Sequence, residues 1–494
     1  MHGVIGYSFS VGIPGIISPI SSILLIFQSI SDLSTLSVAP FVLLLLAIAV
    51  MPLINKEWWE RYYPFFSFGF AALTILYYLV SVGDLSREYR TFNDYISFIV
   101  LLASLFIVSG GIVIRLRGKS NPVSNTLTLL IGAIISNVVG TTGASMIMIR
   151  PYLNVNKNRL KPFHIIFFIF LVGNIGGALT PIGDPPLFLG YLIGVPFFWA
   201  VKNLWVIWVF ALAVLLILFF IIDSISFKKI LREQHLAPSV EFHEEAQVRG
   251  LQNTFFIAII LIAVFIREPK YIREIIMICA AAGSYITTRK DIHKQNNFAF
   301  HPIVEVAILF FGIFITMVPA LDLLEAHAAA IGLKTAGAYY WATGGLSSVL
   351  DNAPTYYNFL HAAIGLNVTP EAVSQVQNLI TAKGNAAMQM APDIQRAMQV
   401  LLANQSESVA AGVVSVENIR ISYLIANSEI YLKAVSIGAV FFGAMTYIGN
   451  GPNFMIKSIA EQHHTKCPSF IEYITRYSIP ILLPLFFVIW LVFF

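Results

Sequence analysis

Apolar residues recur in long blocks along almost the whole chain, separated by short polar stretches. A hydrocarbon core about 30 Å thick takes roughly 20 apolar residues as a single helix. On that measure, spans are predicted near 12–30, 36–54, 64–82, 95–115, 163–200, 203–222, 251–267, 271–287, 303–323, 420–456 and 478–494. Two further segments, 121–150 and 333–366, are apolar but interrupted by polar, Gly and Pro clusters. The stretches 163–200 and 420–456 are too long for one plain helix, and each is broken in the middle. The pattern predicts an all-α polytopic membrane protein with about 11 spans.

Composition agrees. Of 494 residues, 57% are hydrophobic and only 11% charged, with a mean hydropathy of +0.78. A soluble domain carries about 25% charged residues. Disorder, a coiled coil, a secreted disulfide scaffold and almost any soluble enzyme are excluded. The net charge of +4 is spread over short basic runs, so nucleic acid is not an expected partner. Cys279 and Cys467 lack CxxC spacing and read as structural or incidental. The N-terminus lacks a basic start, a short apolar run and a small-residue cleavage site, so no cleaved signal peptide is expected. No GxxxxGK[ST] loop occurs, and the adjacent His463 and His464 lack metal-ligand spacing. No enzyme and no cofactor are expected.

Loop charge sets an orientation, because cytoplasmic loops carry excess Lys and Arg. Arg115, Arg117 and Lys119 precede the segment 121–150, and Arg150, Lys157, Arg159 and Lys161 follow it. Basic residues on both sides place both ends on the cytoplasmic face, which a re-entrant hairpin achieves and a single crossing does not; the competing reading of 121–150 is one long, tilted span. The loops 223–235 and 289–294 are also basic, whereas the insertion 367–419 leans acidic and fits the outer side. Its Ala, Gln and Met content suggests amphipathic helices.

The two halves of the chain repeat each other. Gly177-Ala-Leu-Thr-Pro-Ile-Gly-Asp-Pro-Pro186 aligns with Gly443-Ala-Met-Thr-Tyr-Ile-Gly-Asn-Gly-Pro452, with six of ten positions identical. Leu101–Ile107 resembles Leu309–Ile315. Between these marks lie Ser136-Asn-Val-Val-Gly-Thr-Thr-Gly-Ala144 in the first half and Ser347-Ser-Val-Leu-Asp-Asn-Ala-Pro-Thr355 in the second. Span 95–115 runs inward and span 303–323 outward, so the repeats are inverted. Inverted repeats with matching broken helices point to a secondary transporter with its site near the bilayer midplane.

A broken helix frees backbone groups and presents helix termini to whatever lies at the break. The four interruptions bring Ser136, Asn137, Thr141 and Thr142; Thr180 and Asp184; Asp351, Asn352 and Thr355; and Thr446, Asn450 and Asn453. Neutral Asn and Thr oxygens with one or two carboxylates suit a small hard cation. Na⁺ is expected near Asn137, Asp184, Asp351 and Asn450. A carboxylate holding either Na⁺ or H⁺ gives antiport by competition. Intramembrane ionisable residues are costly and mark functional sites. The competing reading makes Asp184 and Asp351 helix N-caps, since Pro185-Pro186 follows the first. Glu305 and Asn174 are weaker candidates for the ion path. Glu305, like His164, begins a span and fits a hydrated interface, while Trp58, Trp59, Tyr62 and Tyr63 form an aromatic belt.

With Ser136–Ala144, Thr180–Pro186, Leu350–Thr355 and Tyr447–Asn453 set out, the chain resembles the ion transporter superfamily. That group includes NhaD-type sodium/proton antiporters, ArsB-type arsenite permeases and citrate or dicarboxylate transporters, among them the CitMHS kind. The resemblance covers roughly 95–200 and 300–460. It implies two inverted repeats, each with one re-entrant hairpin and one broken helix, and a homodimer moving its substrate by an elevator-like shift. Carboxylate-carrying members hold Na⁺ and substrate on Ser-Asn-Thr triads at the hairpin tips. Here the tips read Ser136-Asn137-Val138 and Asp351-Asn352-Ala353, which with the two Asp residues favours cation/proton exchange.

The expected organisation is N-terminal scaffold spans in 1–94, a first repeat in 95–222 and a cytoplasmic linker in 223–250. Scaffold spans in 251–302, a second repeat in 303–456 and a C-terminal span in 457–494 follow. The expected function is sodium(lithium)/proton antiport in an inner membrane, with sodium-coupled citrate, dicarboxylate or oxyanion transport as the alternative. Small ions and the lipid bilayer are the expected partners.

Overall fold

Helix starts follow local chemistry. Asn55, Asn121, Thr335 and Ser415 each accept a backbone N–H from the first turn of the helix they precede, and Pro122, Pro162 and Pro185 take first helical positions. The computed structural model describes residues 34–115, 120–234, 247–266, 269–327, 332–381, 391–463 and 465–494; the expected span 12–30 lies outside them.

In chain order the helices begin with α1 (Ala39–Ile54), α2 (Lys56–Tyr77), α3 (Ser86–Gly110), α4 (Pro122–Asn156), α5 (Pro162–Leu171), α6 (Pro185–Leu192) and α7 (Trp199–Gln234). Next come α8 (Gln252–Val264), α9 (Ile272–Thr287), α10 (Lys290–Gln295), α11 (His301–Thr316), α12 (Val318–Ala326), α13 (Ala336–Ser347) and α14 (Asn352–Asn367). The last are α15 (Pro370–Thr381), α16 (Pro392–Ala410), α17 (Val416–Phe442), α18 (Gly451–Gln462), α19 (Phe470–Tyr473) and α20 (Leu483–Phe493). Eight helical stretches among the described residues are long and apolar enough to cross a membrane. The chain is an all-α polytopic membrane protein.

Several boundaries differ from the sequence pattern, and the span expected at 64–82 already starts at Lys56. The span expected at 95–115 begins at Ser86 and ends at Gly110. Beyond it, β1 (Val113–Arg115) pairs antiparallel with β2 (Gln247–Arg249), Val113 opposite Arg249. The linker expected at 223–250 is helical to Gln234, because Lys and Arg are good helix formers whose long stems reach water from an apolar helix. The last span begins at Phe470 rather than 478.

α4 is the first hairpin. Gly140 sits inside it at φ 80°, ψ 156°, a conformation open to glycine. Asn125 and Asn156 exchange side-chain hydrogen bonds of 2.8 and 2.9 Å. A straight helix would hold them roughly 46 Å apart, so the chain reverses at Gly140. Its open end is tied to the C-terminal part of α7, where Asn125 donates to Asp223 at 2.9 Å. The second hairpin is α13 and α14, reversing at residues 348–351, with Tyr339 and Phe359 in edge contact at 6.3 Å.

The hairpins open on opposite faces. α3 runs antiparallel to α11 and α12: Arg87 meets Asp322 at 2.6 Å, Phe98 stacks near Phe310 at 5.0 Å, and Phe106 lies 5.5 Å from Phe298. The end of α3 lies on the face of β1, β2, Asn253 and Asn296. That face carries the basic loops and the mouth of α4. The other face carries Arg87, Glu325 and the mouth of the second hairpin, where Gly365 packs on the Glu325 backbone. This is inverted topology.

The broken segments are also present. α5 ends at Leu171 and α6 starts at Pro185, with a 3₁₀ turn Ile175–Gly177 between. α17 ends at Phe442 and α18 starts at Gly451 after a turn at Gly443–Met445. α17 has a further break at Ser428 (φ −147°, ψ 36°) that the sequence pattern did not indicate. The insertion folds as α15 and α16. α15 buries Val373, Val376, Leu379 and Ile380, a helical stripe, and α16 packs on α17 through Tyr423 to Asp393 at 2.6 Å.

Candidate functional site

Four chain breaks converge on Asp184, which is fully buried. Its Oδ1 accepts hydrogen bonds from the Thr141 hydroxyl at 2.9 Å and the Asn450 amide at 3.0 Å; its Oδ2 accepts from the Asn352 amide at 2.7 Å. Thr141 comes from the first hairpin tip, Asn352 from the second, Asn450 from the second broken helix and Asp184 from the first. Charge-assisted bonds of this kind are the strong ones. Neither Asp184 nor Asp351 forms an ion pair among the described residues, and Asp351 is the like-charged neighbour of Asp184.

The competing N-cap reading divides between the two carboxylates. Asp351 is a cap: it accepts the Ala353 N–H at 3.0 Å. Asp184 precedes α6 but makes no side-chain cap bond; its oxygens are spent on the three partners above.

Helix polarity adds to the picture. α6 begins after Asp184, α14 after Asp351, α18 after Asn450, and the second arm of α4 after Gly140. Four helix N-termini, each with partial positive charge, therefore face one buried carboxylate. The Asn352 carbonyl oxygen Oδ1 is buried there and has no hydrogen-bond partner among the described residues. Such an acceptor suits a cation or a proton donor.

Depth follows from helix rise. Gly140 lies fifteen residues from Asn125 along α4, roughly 22 Å of helix, and Asn352 lies thirteen from Gly365, roughly 20 Å. Together these match a bilayer of about 40–45 Å with its headgroups, so the tips meet near the middle.

The internal repeat is visible bond by bond. The Thr180 hydroxyl donates to the Asn137 carbonyl at 2.6 Å, and Thr446 donates to the Ser348 carbonyl at 2.6 Å. Each threonine oxygen in turn accepts a glycine N–H, Gly183 at 3.0 Å and Gly449 at 3.1 Å. Ser136 bonds the Val172 carbonyl at 2.8 Å, and Ser347 the Ala439 carbonyl at 2.6 Å. This register matches Asn137 with Ser348, Gly140 with Asp351, Thr141 with Asn352, and Asp184 with Asn450. Each repeat thus contributes one carboxylate, at non-equivalent places.

The expected site residues separate into two groups. Thr141, Asn352 and Asn450 touch Asp184 directly. The polar atoms of Asn137, Thr180, Thr446, Asn453 and Asn174 hold the unwound backbone instead. Asn137 bridges the Gly176 carbonyl (2.6 Å) and the Leu179 N–H (2.9 Å). Asn453 donates to the Gly443 and Thr446 carbonyls and accepts from Asn174 at 2.7 Å. Thr355 bonds the Asp351 carbonyl at 2.9 Å, and Thr142 is half-buried beside Thr141. Glu305 is not brought to the cluster. It sits on the first turns of α11 with His301 at 4.0 Å. His164 is not hydrated but fully buried, 3.2 Å from Asp223, which also takes a bidentate pair from Arg159 at 2.6 Å.

Sequence reading missed the charged residues that clasp the hairpin mouths. On the basic face these are Arg159 and Asp223. On the other face Glu325 meets Arg87 (3.0 Å), Arg420 (3.0 Å) and His361 (2.5 Å). The partners are tens to hundreds of residues apart, so no local motif marks them.

No curated protein matches the chain. A family model described as "Putative citrate transport" matches residues 30–494. That match runs through both hairpins and both broken helices, and the chain belongs to this transporter family.

Proposed function

We propose that the protein is a cation-coupled secondary transporter in which Asp184 is the exchangeable carboxylate, binding Na⁺ (or Li⁺) and H⁺ in alternation. The observation that carries this reading is Asp184 itself: a buried carboxylate held by three neutral donors from three other converging elements, with no basic side chain paired to it among the described residues. Competition at one carboxylate gives sodium(lithium)/proton antiport. Asp351 and the unpaired Asn352 oxygen complete the cation's surroundings.

A second reading is sodium-coupled uptake of citrate, a dicarboxylate or another oxyanion. It is favoured by the family description and by the four helix N-termini, which attract an anion once a cation offsets the two carboxylates. Both readings place the protein in a cell membrane and run through Asp184.

The test is a substrate-panel flux assay in proteoliposomes, wild type beside Asp184→Asn and Asp351→Asn. Antiport is expected to appear as H⁺ movement on Na⁺ or Li⁺ addition without any organic acid, and to vanish in Asp184→Asn. Flux that needs a labelled acid favours the second reading. Flux indifferent to Asp184→Asn refutes both.

A further inference from the structure

The face opposite the basic loops carries a cavity of about 250 Å³ that the Asp184 cluster does not include. It lies between the first turns of α3 (Asn93, Asp94), the end of α6 (Tyr191), the start of α9 (Arg273, Glu274) and the start of α17 (Asn418). Its charges are unequally satisfied. Arg273 gives Nε and Nη2 to Glu274 at 2.9 and 2.7 Å and also bonds Ser97 at 2.9 Å. Lys270 stands exposed at the rim, its ammonium 5.2 and 4.9 Å from the Tyr89 and Tyr271 ring centres. Asp94 is half-buried, forms no ion pair among the described residues, and accepts one long hydrogen bond, from the Tyr357 hydroxyl at 3.3 Å. Over the lining as a whole Lys270 and Arg273 balance Asp94 and Glu274; with Arg273 bonded to Glu274 and Lys270 at the rim, Asp94 is the carboxylate inside that no hydrogen-bonded cation offsets among the described residues.

The cavity stands over the central cluster. Tyr357 lies on α14, whose first residue Asn352 bonds Asp184, and Tyr191 lies on α6, which starts just after Asp184. Five and seven residues of helix put these tyrosines roughly 7–10 Å outward of the cluster. A water-accessible carboxylate in a low-dielectric cleft raises the local concentration of cations.

We propose that this cavity is an outer loading site for the coupling monovalent cation, with Asp94 as its charged ligand. The proposal rests on the cation-coupled reading of Asp184 but concerns a separate group. The Asp94–Tyr357 bond joins the loading site to the second hairpin, so a cation that draws Asp94 to itself also releases that tie.

The test modifies carboxylates of the full chain in lipid nanodiscs with a water-soluble carbodiimide and an amine, and follows Asp94 by peptide mass spectrometry. Na⁺ or Li⁺ at 100 mM is expected to slow Asp94 modification about tenfold against equal choline, in wild type and in Asp184→Asn alike. Equal rates in Na⁺, Li⁺ and choline overturn the proposal, as does protection by citrate in choline, which would assign an anion site. The cation-coupled reading fails separately, if Asp184→Asn retains flux. In proteoliposomes, Asp94→Asn is expected to raise the outer-side half-saturating cation concentration about tenfold, with Asp94→Glu restoring it and Tyr357→Phe, which removes the tie a cation has to release, lowering it. If Tyr357→Phe reproduces the Asp94→Asn shift, Asp94 is only a structural tie and the proposal falls.

Discussion

Replacing Asp184 with Asn keeps the side-chain shape and removes the charge, so its effects on stability and on transport should part company. In the native site the carboxylate accepts three hydrogen bonds of 2.7–3.0 Å. Bonds to a charged group are worth about 1.5–3 kcal/mol each, roughly 4–9 kcal/mol in gross terms. Against this stands the burial of a charge, which costs several kcal/mol. An amide in its place keeps one acceptor oxygen and turns an NH₂ toward a former donor. With its oxygen at the Oδ1 place Thr141 and Asn450 still donate, and the Asn352 amide can turn its free Oδ1 to accept the new NH₂, so no group need be left orphaned. The gain from discharging the site and the loss of bond strength nearly cancel, and the expected net change in stability is within about 2 kcal/mol. Transport should instead fall more than a hundredfold, because the amide can neither release a proton nor neutralise a cation. Thermal unfolding in detergent, read beside flux in proteoliposomes, checks both halves. A variant that melts like wild type and still carries more than a tenth of the flux would refute the reasoning.

Other outcomes follow from the clasps and breaks. Asp223→Asn leaves Arg159 buried without its charged partner and should cost about 3–5 kcal/mol in thermal or denaturant unfolding. Gly449→Ala sets a Cβ 2.7 Å from the Gly443 carbonyl and 2.8 Å from the Ser347 carbonyl; it should cost about 1–3 kcal/mol by overpacking and lower flux at least tenfold in the same liposome assay. The double variant Asn125→Cys/Asn156→Cys should be bridged by a short thiol-to-thiol crosslinker, seen as protection from a maleimide, since the hairpin brings these side chains into contact. Thr141→Val should raise the half-saturating cation concentration about tenfold in a flux titration while the protein stays folded, because one of three bonds to Asp184 is lost.

Much of the architecture is written locally in the chain. Basic residues on both sides of 121–150 marked a hairpin because lipid admits no other short way back to the same face. Gly140, with φ 80°, is where it turns. The Thr-x-Ile-Gly motif at 180–183 and 446–449 was legible as a broken helix, since its hydroxyl and glycines serve the unwound backbone directly. What stayed hidden depends on tertiary contact. Which polar residues reach Asp184 and which staple the breaks could not be read from spacing: Asn137 and Asn352 look alike in sequence, yet one holds backbone and the other a carboxylate. Asp223, Glu325 and Asp94 acquire meaning only through partners far along the chain. The three-residue strands β1 and β2 are too short to leave a periodic signal. The basic residues after 223 resembled a loop because positive charge marks the cytoplasmic edge whether the backbone is helical or not.

The most direct test of Asp184 as the exchangeable group follows protons rather than substrate. Purified protein in weakly buffered detergent, with a pH dye, is titrated with Na⁺ or Li⁺ between pH 6 and 9. Wild type should release protons saturably on cation addition, choline should release none, and Asp184→Asn should release none with either cation. Equal release from wild type and Asp184→Asn would contradict the account, as would a wild-type protein that releases no protons anywhere in that range.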